Sequence, residues 1–180
     1  MDTISVTPVR LLWPSLRSAS GLHQAAQNGY FGCLLICLIT LLLILLGGSA
    51  VGAFVDIFFF FLAGLGTRSF SRLAAGSAMV MLLAEKTAAM ASGHLGRGAL
   101  ILLLLLPLLF HAAHAGFAAR TMGILAEAPV NPSPANWLER IENLPGLLWP
   151  KVWIGFRFYL AGLIVMMLAG FVVRQAGLLP

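Results

Sequence analysis

The chain has 180 residues, of which 60% are hydrophobic and only 9% charged, against roughly 25% charged residues in a soluble domain. With a mean hydropathy of +0.96, this composition argues against a soluble domain with a polar surface and for an all-α polytopic membrane helix bundle. Eleven basic and six acidic residues leave a net charge of +5. The basic residues sit at the ends of apolar runs rather than in a stripe, so the partner they imply is the lipid bilayer and not nucleic acid.

Residues 1–29 are expected to form a cytoplasmic N-terminal segment with an interfacial helix. Leu16, Ala19, His23, Ala26 and Tyr30 recur at three- and four-residue steps after Pro14, whose fixed φ suits a first helical turn. Gly48-Ser49-Ala50 resembles the cleavage site of a signal peptide. Twenty-nine residues before the apolar run make an unusually long leading region, so a first transmembrane helix is preferred to a cleaved signal.

Five apolar stretches follow, at about Tyr30–Leu46, Ala50–Leu65, Leu73–Ala91, Gly98–Ala119 and Val152–Val173. Each has the length of a spanning or near-spanning helix, since a hydrocarbon core roughly 30 Å thick needs about 20 residues. Residues 30–125 thus read as a four-helix transmembrane region and residues 152–180 as a fifth span with the C-terminus. Gly47-Gly48-Ser49 and Thr67–Arg72 are short enough to force antiparallel neighbours. Counting five spans puts Arg10, Arg17, Arg68, Arg72, Arg120, Arg140, Lys151 and Arg157 on one side, and Lys86, Arg97 and Arg174 on the other. The larger group marks the cytoplasm, giving an inside N-terminus and an outside C-terminus.

The connection at residues 126–151 is the one sizeable polar segment. Asn131-Pro132-Ser133-Pro134 reads as a loop and N-cap, and Pro145 as a stop, predicting a short amphipathic helix from about Pro134 to Asn143 on the cytoplasmic surface. Leu-Trp-Pro occurs at Leu12–Pro14 and again at Leu148–Pro150, where tryptophan suits an interface anchor. Trp137, Leu138, Ile141, Trp149 and Trp153 form a candidate surface for a membrane-protein partner or a second copy of the chain.

Charges within the spans are the main functional clue, because each is costly unless paired or hydrated. Asp56 and Lys86 lie roughly 18 and 21 Å above the basic layer at Arg68 and Arg72, so they are expected to pair, with Glu85 on an adjacent helix face. His111 and His114 share one face of the fourth stretch, about 14 and 9 Å above Arg120, and could continue a proton path towards Asp56. Haem ligation would need a facing histidine at matching depth, yet His23 and His94 fall at opposite surfaces. Cys33 and Cys37, one turn apart in an apolar run, read as small packing residues.

No cofactor or metal site is expected. The chain carries no His-Glu-x-x-His, no Gly-x-Ser-x-Gly and no phosphate-binding glycine loop, so it is not expected to be an enzyme. Small residues at Gly155, Gly162 and Ala169, and at Ala84, Ala88 and Ala91, mark faces for close helix packing.

Trp13-Pro14-Ser15, Asp56 at the opening of an apolar run, Ser71-Arg72 with Ala74-Ala75, and Gly116–Arg120 resemble parts of small bacterial polytopic membrane proteins of unassigned function. The resemblance covers about the first two-thirds of the chain. It implies a bacterial cytoplasmic membrane and no particular activity. The sequence therefore points to a non-catalytic structural or accessory component of a membrane assembly, with a small proton- or ion-coupled carrier using Asp56, Glu85, Lys86, His111 and His114 as the alternative.

Overall fold

The computed structural model describes residues 12–46, 50–91, 105–123 and 137–175. Among them the chain is all-helical, with five helices and no strand: α1 (Ala19–Leu45), α2 (Ala50–Arg68), α3 (Arg72–Ala91), α4 (Leu106–Thr121) and α5 (Trp137–Gln175). Among the described residues two segments are long and apolar enough to cross a membrane, Ala19–Leu45 and Leu144–Gly170. Arg10, Gly47-Gly48-Ser49, His94, Arg97 and Asn131–Pro134 lie outside the described residues, as do the side chains of Ala88, Ala91, Trp137, Leu138, Arg140 and Arg174.

Where an interfacial helix was expected to lead into the first span, the structure has one continuous helix of 27 residues. Ser18, in an extended conformation, caps it by accepting the Gly21 N–H at 3.2 Å, which satisfies one of the unpaired donors of the first turn. Residues 12–18 precede the cap and double back beside the helix. Asn28 Nδ2 donates to the Leu12 carbonyl at 3.3 Å, which sets Leu12 nine residues above the start of α1.

Helices α1 to α4 close a ring in which each packs on its sequence neighbour and α4 returns to α1. The α2–α3 corner is made by Phe70 at φ 56°. Ser71 N–H donates to Gly66 O at 2.8 Å and Phe70 N–H to Thr67 O at 3.1 Å, the paired bonds of a Schellman stop. Ser71 then caps α3 through its hydroxyl, which accepts the Ala74 N–H at 3.3 Å. Two glycines set the spacing of the ring: a side chain at Gly29 would collide with Ala112 of α4 and Thr67 of α2, and one at Gly66 with Ala74 of α3 and Trp149 of α5.

The core is continuous across the ring, with Tyr30, Cys33 and Ile36 of α1, Phe59, Phe60 and Leu65 of α2, Ala74, Ala78 and Leu82 of α3, and Leu109 of α4. The outward faces are apolar as well, including Leu38, Leu42, Phe58, Val80, Leu83 and Phe110.

Helix α5 corrects the expected break at Pro145. It runs unbroken for 39 residues with Pro145 and Pro150 inside it, about 58 Å at 1.5 Å per residue. A proline removes the N–H that would bond four residues back, which here leaves the Ile141 carbonyl without its helical donor. The Tyr30 hydroxyl of α1 donates to that carbonyl at 3.1 Å. A tertiary hydrogen bond thus replaces the lost helical one, and the helix continues.

Candidate functional site

The α2–α3 hairpin brings Asp56, Glu85 and Lys86 together, but not as the pair expected from depth. Lys86 Nζ lies 3.7 Å from Glu85 Oε2, and Asp56 is near enough to both for their charges to interact. Consecutive helical residues point about 100° apart, so Glu85 and Lys86 cannot both be directed squarely at α2. The ion pair of Lys86 is with its neighbour Glu85.

Glu85 Oε1 is buried and accepts no donor among the described residues. Because a carboxylate only accepts, a hydrogen bond between Asp56 and Glu85 forms when one of them carries a proton. Beside them, Tyr159 of α5 donates its hydroxyl to Val55 O at 3.1 Å and sets its ring edge-on to Phe58, with centroids 5.3 Å apart.

The two histidines diverge. His111 is buried; its Nε2 lies 2.9 Å from the Pro14 carbonyl, and Trp13 stacks on its ring at 4.3 Å. Since the carbonyl can only accept, Nε2 carries the proton and donates. His114 is exposed and contacts Phe110 edge-on at 5.7 Å. It lines an open hollow with Arg72, Phe117, Ala118, Arg120 and Thr121. The i, i+3 spacing puts both on one side of α4, yet the doubled-back N-terminal segment covers only His111. They therefore do not form one path to Asp56.

The residues expected to make a partner surface are also divided. Ile141 and Trp149 pack against the core, where Trp149 contacts Phe156 at 5.5 Å between ring centroids. Trp153 lies under the Arg157 guanidinium at 4.1 Å, and the side chains of Trp137 and Leu138 lie outside the described residues. In both Leu-Trp-Pro tripeptides the tryptophan packs within the chain, Trp13 on His111 and Trp149 against Gly66 and Phe156.

Two further features lie outside the polar site and the tryptophan surface expected from sequence. Arg72 and Arg120, counted there only for orientation, share a hollow, and the Arg72 guanidinium lies 5.3 Å from the centre of the Phe117 ring. Most described side chains in the second half of α5 are exposed, while Tyr159, Leu160 and Leu163 pack against the core. Its signal was the uninterrupted apolar run from Ala161 to Gly170, which has no polar face to turn to water.

Cys33 is buried in the core and Cys37 donates its thiol to Ile57 O at 3.3 Å; both are free of disulfide bonds. Among the described residues no three His, Cys, Asp or Glu side chains are grouped to hold a metal ion. Comparison with protein-family models, curated proteins and solved structures finds no match to the chain.

Proposed function

We propose that the chain is a five-span membrane protein with a cytoplasmic N-terminus and an outside C-terminus. It acts as a non-catalytic structural or accessory component of a membrane assembly and uses α5 to contact its partner. Helices α2 and α3, of 19 and 20 residues, reach about 28 and 30 Å, the thickness of a hydrocarbon core. The apolar outward faces of the ring suit lipid, and Arg68, Arg72 and Arg120 gathered at one end suit its cytoplasmic side. The bacterial cytoplasmic membrane follows from the resemblance in the first two-thirds of the chain.

The observation that carries the accessory role is the free half of α5. Val165, Met166 and Leu168 are exposed, and a Cβ placed at Gly155 or Gly162 would meet nothing of the described residues within 4 Å. A small-residue stripe turned away from its own bundle is a surface for another helix, because packing in lipid depends on close backbone approach. Gly155→Leu with Gly162→Leu tests this without disturbing the chain's own packing. A co-purifying membrane protein or second copy should be released while the five helices remain inserted. Unchanged association would contradict the role.

The Asp56–Glu85 carboxyl pair favours the carrier as the second reading, since two facing carboxyls can pass a proton between them. Reconstituted vesicles separate the two. A pH-dependent flux abolished by Glu85→Gln supports a carrier, and its absence supports the accessory component.

A further inference from the structure

A groove of about 340 Å³ runs between α3 and α5, floored by Phe59 of α2 and lined by Gly76, Val80, Met81, Leu163 and Met167 among others. Its volume is at the small end for ligand pockets, about 300–1,000 Å³, and its walls are almost wholly apolar. Arg72 belongs both to this groove and to the neighbouring hollow that holds Arg120 and His114. Its aliphatic stem can line the apolar groove while its guanidinium sits over Phe117 in the hollow. Of the carboxylates whose side chains are described, Glu85 lies thirteen residues along α3 from Arg72, or roughly 20 Å, and Asp56 lies beside Glu85.

We infer that this paired feature is a site for one anionic phospholipid of the cytoplasmic leaflet, with an acyl chain in the groove and the phosphate held by Arg72 and Arg120. Apolar walls alone would accept any lipid tail or an apolar helix. Two guanidinium groups at the groove's end, with no carboxylate neighbour among the described side chains, select a negatively charged headgroup, because arginine binds phosphate through paired N–H donors. The basic groups lie at the end of the ring assigned to the cytoplasm, where anionic lipid is met. The inference rests on the membrane reading above and adds a specific ligand to it.

The test uses the full chain, extracted from membranes, stripped of lipid in detergent and offered equimolar phosphatidylglycerol and phosphatidylcholine, with retained lipid counted by native mass spectrometry. One phosphatidylglycerol should be held at least about tenfold more than phosphatidylcholine. Arg72→Gln with Arg120→Gln should reduce that preference to under about twofold. Gly76→Phe should expel both lipids, and it is a fair probe because a Cβ there meets nothing of the described residues within 4 Å. Thermal unfolding of each variant shows whether it has folded; Gly76→Leu and Arg72→Met with Arg120→Met replace any that has not.

Equal retention of the two lipids, full retention by a folded groove-filled variant, displacement by millimolar inorganic phosphate, or a second protein chain seated in place of lipid would each overturn the proposal. Recovery of the chain in the soluble fraction after alkaline extraction would instead overturn the membrane reading. The two failures are therefore distinguishable.

Discussion

His111 Nε2 donates to the carbonyl oxygen of Pro14 across 97 positions of sequence, at 2.9 Å. The bond ties α4 to the segment that precedes α1, and the Trp13 ring stacked on the imidazole covers it. His111→Ala should leave a buried carbonyl unpaired at a cost of about 1–3 kcal/mol. Chain cleavage within residues 12–18 under limited proteolysis should then accelerate, while His111→Phe should keep the stacking and lose only the hydrogen bond. Equal proteolysis of all three proteins would mean that the contact does not hold the segment.

Tyr30 and Pro145 make a reciprocal pair through one carbonyl. Tyr30→Phe orphans Ile141 O only because Pro145 has no N–H to offer it, so the substitution should cost about 1–3 kcal/mol in the native background. In a Pro145→Ala background the helix supplies its own donor, and the same substitution should cost under about 0.5 kcal/mol. Thermal unfolding in detergent of the four proteins completes the cycle. Additive losses would rule out the compensation.

Gly66 and Gly162 predict opposite responses to one methyl group. A Cβ at Gly66 collides with Ala74 and Trp149, so Gly66→Ala should destabilise by about 1–3 kcal/mol through overpacking. Gly162 lies in a helix with open space around it, so Gly162→Ala should be neutral or stabilising by up to about 1 kcal/mol through helix propensity. Unfolding midpoints for the two variants measure the contrast. A stable Gly66→Ala protein would contradict the α2–α3–α5 junction described above.

For the charged cluster, Asp56→Asn should change stability by less than about 0.5 kcal/mol, because its amide can donate to Glu85 without a shared proton. Lys86→Met should be more damaging, by up to about 1 kcal/mol, since Glu85 then loses its 3.7 Å cationic neighbour. A double-mutant cycle should find coupling between Asp56 and Glu85 that exceeds the coupling between Asp56 and Lys86. The reverse order would restore the direct Asp56–Lys86 pair expected from depth alone.

Helix type and the α2–α3 hairpin were legible in the sequence because apolar length and the Thr67–Arg72 break act locally. The depth arithmetic also brought Asp56 to the level of Glu85 and Lys86, but it counts only rise. It does not foresee that Lys86 pairs with its neighbour Glu85. The stop expected at Pro145 failed for a nonlocal reason: its compensating donor, Tyr30, lies on another helix. Trp13 and Trp149 fit an interface anchor equally well by composition. Only the fold reveals that one covers His111 and the other fills the space left by Gly66.

The most direct test of the membrane arrangement is cysteine labelling from the two sides of sealed vesicles, in a chain whose Cys33 and Cys37 are first replaced by Ala. Single cysteines at Ser69, in the α2–α3 turn, and at Thr121, at the end of α4, should label only from the cytoplasmic side, and one at Gln175, at the end of α5, only from the outside. Labelling of all three positions from the same side would contradict the five-span protein proposed here.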